Sequence, residues 1–259
     1  MSKLFSGLNM GDLQLAHRVV VLSPRDYAAV SSLGGLVVSE PVATGDAIET
    51  WRRTTDTVHE RGGLIVLRLV HPGGANPSFT ATVDGAGIDS AMADYAASAN
   101  KALSAGFDGI ELDATSGSLP EQFLREGVNH RTDRYGGSID NRIHFLAEVI
   151  EALANVWGTT RIGVRLSPYG SDINDPSELF TAVLSALSDQ EIAYTHIVCP
   201  IPDRIAARRF RAAFSDPILV SGNYTAETAL ACIESRMPDA IGFDSVLPEP
   251  FAPNTARKS

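Results

Sequence analysis

The stretch that decides the fold reads Gly109-Ile110-Glu111-Leu112-Asp113-Ala114-Thr115-Ser116 and, after a short intervening segment, Asn129-His130-Arg131-Thr132-Asp133-Arg134-Tyr135-Gly136-Gly137-Ser138. Its first part is a mostly apolar run that ends in an acid and then passes into small polar residues. In an α/β barrel, polar residues at the point where a buried strand ends form the functional face. The stretch therefore predicts a buried strand, Gly109–Asp113, followed by a loop with candidate functional side chains.

Further apolar runs lie on both sides of this strand, and amphipathic segments separate them. This alternation is typical of repeated βα units. The predicted strands are His17–Leu22, Gly35–Glu40, Leu64–Leu69, Gly109–Asp113, Ile162–Ser167, Tyr194–Cys199, Ile218–Ser221 and Ala240–Asp244. The predicted helices are Ala47–Glu60, Ser90–Ala105, Ile139–Trp157, Pro176–Ser188, Arg204–Phe214 and Ala226–Ser235. Eight strands separated by helices favour a closed (β/α)8 TIM barrel, spanning residues 1–259 as a single domain.

Two connections of this barrel are expected to be short. Tyr27–Leu33 leaves room for only a brief first helix, and the proline-containing tail Leu247–Ser259 predicts a reduced C-terminal helix. Gly73–Gly87 is rich in Gly, Pro, Asn, Ser and Thr, so it reads as an active-site loop or as a plain disordered loop. An open doubly wound sheet is the alternative fold, but no GxGxxG motif opens a helix after an early strand.

The composition narrows the class of function. A formal net charge of −10 argues against nucleic acid and anionic membrane as partners. The apolar runs are too short for a spanning helix, and Met1–Phe5 lacks the apolar core of a signal peptide, so we expect a cytoplasmic protein. Two cysteines without CxxC or HExxH spacing predict neither a disulfide framework nor a metal site. We expect a small-molecule substrate, and a homo-oligomer is compatible with these features.

Several motifs carry a family resemblance that runs nearly end to end. They are Gly11-Asp12-Leu13, His17-Arg18-Val19-Val20, Gly62-Gly63, His71-Pro72-Gly73, Gln122-Phe123-Leu124, the run Asn129 to Ser138, Val164-Arg165-Leu166-Ser167-Pro168 and Gly222-Asn223-Tyr224-Thr225. With them the chain resembles the old yellow enzyme family, which consists of FMN-dependent ene-reductases built on a (β/α)8 barrel. Compared with typical members, the chain is shorter in the loops after its second and third strands, which predicts a trimmed barrel.

The resemblance breaks at the residues that would perform ene reduction. The family has a His-x-x-Asn or His-x-x-His pair that donates hydrogen bonds to the substrate carbonyl, and here those positions are Asp113 and Ser116. An ionised Asp would repel the enolate oxygen that forms during hydride addition. The tyrosine proton donor of the family matches Ser118, which is a far weaker acid.

The resemblance also implies an eroded flavin site. Arg68 stands where the family has a flavin-contacting Gln, and Ser23-Pro24-Arg25 replaces the family's Pro-x-Thr/Cys. The Gly-Arg that receives the FMN phosphate is replaced by Asp244-Ser245. A carboxylate beside a phosphate costs roughly 4 kcal/mol at about 4 Å and an effective dielectric of about 20. Arg165, the flavin-contacting arginine, and Gly222 remain.

Candidate catalytic residues lie at the predicted carboxyl ends of the strands. Asp113 is the candidate general acid or base, tuned by Arg68 or His71, with Ser116 and Tyr169 as further candidates. The alternative is that these charges form structural salt bridges, Arg68 with Asp113 or Arg165 with Glu40. His71 is also read as mainly structural, His196 as a hydrogen-bonded core histidine, and Cys199 as a small buried thiol.

Three functions follow. The favoured one is a flavin-independent isomerase, cyclase or lyase that acts on an unsaturated carbonyl compound and needs no cofactor. The second is a divergent FMN-dependent NAD(P)H reductase, which would bind flavin through Ser23, Pro24, Arg165, Gly222 and Asn223, with new contacts from Arg25 or Arg68. The third is a binding barrel without turnover.

Overall fold

A short hairpin, which the apolar pattern does not predict, closes one end of the molecule. The computed structural model describes residues 2–31, 34–76, 78–168, 176–199, 210–235, 238–245 and 247–248. The hairpin pairs β1 (Leu8–Met10) with β2 (Leu13–Leu15) in antiparallel register. Its buried side chains Met10, Leu13 and Leu15 belong to the same apolar cluster as the residues that line the barrel interior. Asp12 also donates its backbone N–H to Thr160 O, just before a barrel strand, so the hairpin lies under the amino ends of the strands.

The barrel is closed by eight parallel strands in chain order, as predicted. They are β3 (Val19–Leu22), β4 (Leu36–Ala43), β5 (Leu64–Val70), β6 (Gly109–Ala114), β7 (Ile162–Leu166), β8 (Tyr194–Val198), β9 (Ile218–Ser221) and β10 (Ala240–Asp244). β10 pairs with β3 and completes the circle. All eight predicted strands are confirmed, with end points within three residues. Only β4 is clearly longer than predicted, and a bulge between Val38 and Pro41 allows a proline to lie inside it.

Helices surround the barrel. They are α1 (Tyr27–Val30), α2 (Arg52–Glu60), α3 (Phe79–Thr82), α4 (Gly85–Ser104), α5 (Leu119–Leu124), α6 (Ile139–Trp157), α7 (Pro176–Asp189) and α8 (Ala226–Glu234). The predicted helix Arg204–Phe214 is seen only over residues 210–213, and the rest of it lies outside the described residues. The predicted reduction of the last helix concerns a tail that also lies outside them beyond Pro248. Within the described residues, none of these helices could cross a bilayer.

The helix α6 shows how the sequence specifies its elements. Ser138 caps its first turn by accepting a hydrogen bond from Asn141 N at 3.3 Å. Ile143, Leu146, Ile150 and Leu153 recur at three- and four-residue steps, and all four are buried against the barrel. Each fully buried side chain of this kind contributes about 1.5–3 kcal/mol. The apolar face of α6 therefore anchors this helix to the barrel.

In its described residues, which leave out position 77, the Gly/Pro-rich segment 73–87 forms short helical elements, so the reading as a plain disordered loop is wrong and the reading as an active-site loop stays a prediction. It contains a 3-10 turn over Pro72–Ala75, the helix α3, and the start of α4 at Gly85. Arg131 holds α3 by donating from Nη1 to Thr80 O at 3.0 Å and to Val83 O at 2.7 Å. Local bonds such as Gly87 N to Asp84 Oδ1 at 2.8 Å add to this contact, and the contact from a distant arginine is one that local composition cannot indicate.

That arginine belongs to the signature segment, residues 129–138. Asn129 donates from its buried side-chain amide to Phe123 O at 2.7 Å and to Tyr135 O at 2.6 Å. A Cβ at Gly136 would lie 2.3 Å from Arg131 O, so only glycine fits there. The most recognisable run of the sequence is therefore a tightly bonded structural segment that positions α3.

Candidate active site

The upper part of the barrel interior is polar. Four inward-facing side chains, Arg68 on β5, Glu111 on β6, His196 on β8 and Ser221 on β9, form what we call the polar layer. Their exposed fractions are 4%, 0%, 0% and 2%. Below them the interior is apolar and is filled by side chains such as Leu22, Val38, Val66 and Leu219. The polar layer therefore lies between a dry core and the carboxyl ends of the strands, where barrel enzymes carry their sites.

Glu111 is the centre of the polar layer. Its Oε1 accepts a hydrogen bond from Arg68 Nε at 3.0 Å, and its Oε2 contacts His196 Nδ1 at 2.8 Å and Tyr194 Oη at 3.2 Å. Burial acts to raise the pKa of Glu111, but the neighbouring His196 and Arg68 outweigh burial and hold it well below its usual range. Glu111 is therefore ionised and fully bonded.

His196 is a hydrogen-bonded core histidine, as predicted. Its second ring nitrogen, Nε2, lies 2.8 Å from Ser221 Oγ. Burial lowers the pKa of His196, although Glu111 opposes this change. At neutral pH the imidazole is therefore uncharged.

A second ion pair lies nearer the strand ends. Asp113 Oδ2 accepts a hydrogen bond from Arg165 Nη1 at 3.1 Å, and these two residues are register partners on β6 and β7. Asp113 Oδ1 accepts from Thr115 N at 2.9 Å and from Thr115 Oγ1 at 2.6 Å. The expected pairs Arg68–Asp113 and Arg165–Glu40 are wrong, because the register places Arg68 beside Glu111 and Arg165 beside Asp113.

Two serines of the loop after β6 form hydrogen bonds with neighbouring residues. Ser116 is exposed, and its N–H and hydroxyl both contact Ser167 Oγ, at 2.8 and 3.1 Å. Ser118, at the position of the family's proton donor, caps α5 by accepting from Glu121 N at 3.3 Å. Ser116 therefore lies near Asp113 at the carboxyl ends of the strands, which we call the mouth of the barrel. Ser118, in contrast, has a structural role.

His71 belongs to a different cluster from Asp113. Its Nδ1 accepts from Gly73 N at 3.0 Å, and its Nε2 contacts Asp94 Oδ2 on α4 at 3.4 Å. Its ring packs on Tyr95, with 5.4 Å between the centroids. Burial lowers the pKa of His71, while Asp94 opposes this change. These contacts favour the structural role for His71 over the tuning of Asp113.

The end of β3 adjoins the polar layer. Ser23 directly follows β3 in a left-handed conformation (φ 46°), and its Oγ is 3.5 Å from Arg68 Nη1. Ser245, at the end of the adjacent β10, is also left-handed (φ 59°) and donates from Oγ to Ser23 O at 3.3 Å. Non-glycine residues in this region of backbone space cost about 1–3 kcal/mol each and concentrate at functional sites. Pro24 is buried and Arg25 is exposed.

The remaining candidates lie at the ends of β8, β9 and β10 or outside the described residues. Gly222 is half-buried with a φ of 146°, and Asn223 and Asp244 are exposed at the ends of β9 and β10. Cys199 is buried, as expected for a small thiol. Tyr169 lies outside the described residues. Among the residues that the structure describes, no cluster of three His, Cys, Asp or Glu could hold a metal ion.

Sequence reasoning missed Glu111 and Ser221 as site residues. Glu111 sits inside an otherwise apolar strand and was read as part of it. The period-two alternation of a strand was the available signal, because it places Glu111 on the same face as Asp113. Ser221 gave no signal beyond its place as the last residue of a predicted strand.

The sequence of this barrel was compared with known families and proteins. Residues 75–241 match the profile of the NADH:flavin oxidoreductase / NADH oxidase family, which is more than half of the chain. The chain belongs to this family. It is 32% identical to the flavin oxidoreductase hxnT of Emericella nidulans, over 78% of this chain and 71% of that protein. It is 29% identical to 12-oxophytodienoate reductase 1 of Oryza sativa subsp. japonica, over 93% of this chain and 82% of that protein.

Solved structures give the same assignment. The old yellow enzyme homologue from Zymomonas mobilis superposes with a TM-score of 0.83 at 27% identity, covering 93% of this chain and 88% of that one. A morphinone reductase mutant in complex with tetrahydroNAD superposes with a TM-score of 0.82 at 26% identity, over 93% and 86% of the two chains. The resemblance read from the sequence and the predicted (β/α)8 fold are confirmed.

The family implies FMN, and the residues present do not fit it well. At the ring end, Arg165 Nη1 is bound to Asp113 Oδ2, whose carboxylate neutralises the guanidinium charge. At the phosphate end, an exposed carboxylate, Asp244, occupies the position where the family has glycine. It would repel a phosphate by roughly 4 kcal/mol at about 4 Å and an effective dielectric of about 20. Two donors favour a ligand of some kind, since Arg68 Nη2 and Arg165 Nε are buried without a hydrogen-bond partner among the described residues.

Proposed function

We propose that this family barrel catalyses a non-redox reaction, an isomerisation, cyclisation or lyase step, on an unsaturated carbonyl compound without using flavin. The observation that carries the proposal is the Asp113–Arg165 ion pair at 3.1 Å. It occupies the arginine that would otherwise contact flavin. It also places a carboxylate where ene reduction needs hydrogen-bond donors.

Asp113 and Arg165 have complementary roles in such a reaction. Asp113 takes a proton from the carbon next to the carbonyl group and returns it to a second carbon, which moves the double bond without net oxidation. The Arg165 guanidinium stabilises the negative charge that develops on the carbonyl oxygen. Thr115 holds Asp113 Oδ1 through two hydrogen bonds, so Oδ2, which faces Arg165, is the oxygen that would exchange the proton. Ser116, exposed at the mouth, would contact the substrate.

A second candidate is an FMN-dependent NAD(P)H oxidoreductase. Family membership favours it, and so do the two buried donors on Arg68 and Arg165, which could bind carbonyl oxygens of a flavin ring. In this case Ser23, Pro24, Gly222 and Asn223 would complete the cofactor site. Asp244 would have to be compensated by contacts from elsewhere in the chain.

One set of measurements separates the two candidates. The visible absorption spectrum of the purified protein, followed by titration with FMN, tests for flavin. Deuterium uptake from solvent into a series of cyclic enones, followed by proton NMR, tests for acid–base chemistry. We expect a colourless protein that catalyses uptake, an Asp113→Asn variant that loses it, and an Asp94→Asn control that retains it.

Two results would reject the flavin-independent proposal. Stoichiometric FMN together with enone-dependent oxidation of NAD(P)H would establish the second candidate instead. Equal deuterium uptake by the wild type and by Asp113→Asn would remove Asp113 from the mechanism.

A further inference from the structure

Ser221, His196 and Glu111 form a continuous hydrogen-bonded chain within the polar layer. Ser221 Oγ lies 2.8 Å from His196 Nε2, and His196 Nδ1 lies 2.8 Å from Glu111 Oε2. The three residues come from β9, β8 and β6, so three rigid strands set the distances. The non-redox chemistry assigned to Asp113 uses none of them.

The direction of each hydrogen bond follows from the charges around the chain. Glu111 is ionised, because the hydrogen bond with His196 and the Arg68 guanidinium at 3.0 Å hold its pKa low despite burial, so it can only accept. His196 must therefore carry its proton on Nδ1 and donate it to Glu111. Burial lowers the pKa of His196, so the ring is neutral and its Nε2 is left as an acceptor. The Ser221 hydroxyl must then donate its proton to His196.

A serine that donates to a neutral histidine, held in turn by a buried carboxylate, is the arrangement that activates a hydroxyl nucleophile. The carboxylate sets the histidine tautomer, and the histidine can accept the serine proton during attack. Here the carboxylate and the histidine are shielded from solvent, at 0% exposure each. Ser221 is the last residue of β9, at the functional end of the barrel, and is followed by half-buried Gly222.

We propose that Ser221 is a nucleophile, with His196 as its general base and Glu111 as the residue that orients His196, and that the site takes a small carboxylic ester or lactone. Ser221 Oγ forms a bond to the acyl carbon while its proton moves to His196 Nε2. His196 returns that proton to the leaving alkoxide as the ester C–O bond breaks. Water then attacks the acyl-serine while its proton moves to His196, and His196 passes that proton to Ser221 Oγ as the acyl C–O bond breaks, which releases the carboxylic acid and regenerates the serine.

Small sulfonyl fluorides test this proposal without knowledge of the natural substrate. Ser221 is only 2% exposed, so methanesulfonyl fluoride is preferred and the larger phenylmethylsulfonyl fluoride gives a size comparison. Intact mass and peptide mapping of the wild-type protein should show one adduct, located on Ser221. The labelling rate should fall as the pH is lowered and His196 becomes protonated, with Glu111, Arg68, Arg165 and Tyr194 as the other ionisable groups near it. 4-Nitrophenyl acetate should give a burst of nitrophenol.

Variants then assign the roles. Ser221→Ala should abolish the adduct and the burst. His196→Gln and Glu111→Gln should slow labelling by about 10²–10⁴-fold, the usual contribution of a general base. Ser188→Ala, which changes a serine that contacts Ser215 outside the barrel, should label at the wild-type rate. Labelling is read by mass and deuterium uptake by NMR, so a failure of the acid–base proposal is visible separately.

The wild-type mapping decides the question even where a variant does not fold. An adduct on Ser221 whose rate rises with pH supports the proposal. The absence of any adduct with both sulfonyl fluorides, or an adduct on a different serine, overturns it and leaves the chain of hydrogen bonds with a structural role only.

Discussion

Asp113 and Arg165 are register partners on adjacent strands, and their side chains form an ion pair of 3.1 Å at the mouth of the barrel. The side chains are only 8% and 18% exposed, so solvent screens this pair weakly. Asp113 thereby stands where the family has a hydrogen-bond donor, and its carboxylate neutralises the charge of Arg165.

Asp113→Asn should destabilise the fold, because it leaves Arg165 partly buried without its counter-charge. We expect the free energy of unfolding to fall by about 2–4 kcal/mol, somewhat less than for a fully buried pair. Urea unfolding followed by circular dichroism measures it. Asp94→Asn is the matched control, since the Asp94 side chain is 55% exposed and should cost less than about 1 kcal/mol. Equal losses in the two variants would contradict the importance of the pair.

Glu111→Gln should be more costly than Asp113→Asn. Glu111 is completely buried and holds Arg68, His196 and Tyr194 together. Removing its charge leaves the Arg68 guanidinium buried and uncompensated, which costs about 3–5 kcal/mol. In a double-mutant cycle with Arg68→Met, urea unfolding should give a coupling of about 1–3 kcal/mol. Additive effects would show that Arg68 and Glu111 do not stabilise each other.

Stability should decrease as the pH falls below about 6.5. The folded-state pKa of His196 lies below its ordinary value of 6.5 because of burial, so the unfolded chain binds a proton that the folded chain does not. The stabilisation is present above pH 6.5 and is lost as the pH falls towards the lowered pKa. Unfolding midpoints measured between pH 5 and 8 test this, and His196→Gln should reduce the slope, while His17 and His71, whose pKa values burial also lowers, account for a remaining part.

Arg131→Gln should release α3 without unfolding the barrel. Arg131 Nη1 donates to both Thr80 O and Val83 O. Its loss leaves one carbonyl group inside α3 and one directly after α3 without this donor. Hydrogen–deuterium exchange in peptides covering residues 79–84 should accelerate by about tenfold or more, the effect of losing roughly 1.4 kcal/mol of local stability. Arg134→Gln, whose side chain is 62% exposed, should show no such change. Unchanged exchange in Arg131→Gln would mean that α3 is held by other contacts.

The barrel could be predicted from the sequence because its strands are continuous apolar runs that no other element resembles. All eight appear where the pattern places them, and the predicted bounds of α6, Ile139–Trp157, are those observed. The hairpin was missed because β1 and β2 are three residues long, too short for any periodicity. The disordered-loop reading of segment 73–87 is wrong, because composition does not reveal the bonds from Arg131, about fifty residues away.

The site was only partly predictable, since strand register decides which charges meet. Asp113, Arg68, Arg165 and Ser116 were all identified as candidates, yet both suggested ion pairs were wrong. A step of two residues along β6 converts Arg68–Asp113 into Arg68–Glu111, and nothing in a single sequence specifies that register. Strand alternation already places Glu111 on the same face as Asp113, whereas the contact of Ser221 with His196 depends on how β8 and β9 pair in the barrel.

The hairpin β1–β2 determines which end of the barrel is open to substrate and product. Met10, Leu13 and Leu15 fill the amino end of the interior, so in the part of the chain that the structure describes this end offers no passage. Reactants must arrive, and products must depart, through the same opening. A product that stays bound therefore blocks the next substrate molecule, and any ligand bound in the mouth competes with the substrate. Because substrate and product share this one opening, product inhibition is the expected kinetic behaviour of any reaction that the protein performs.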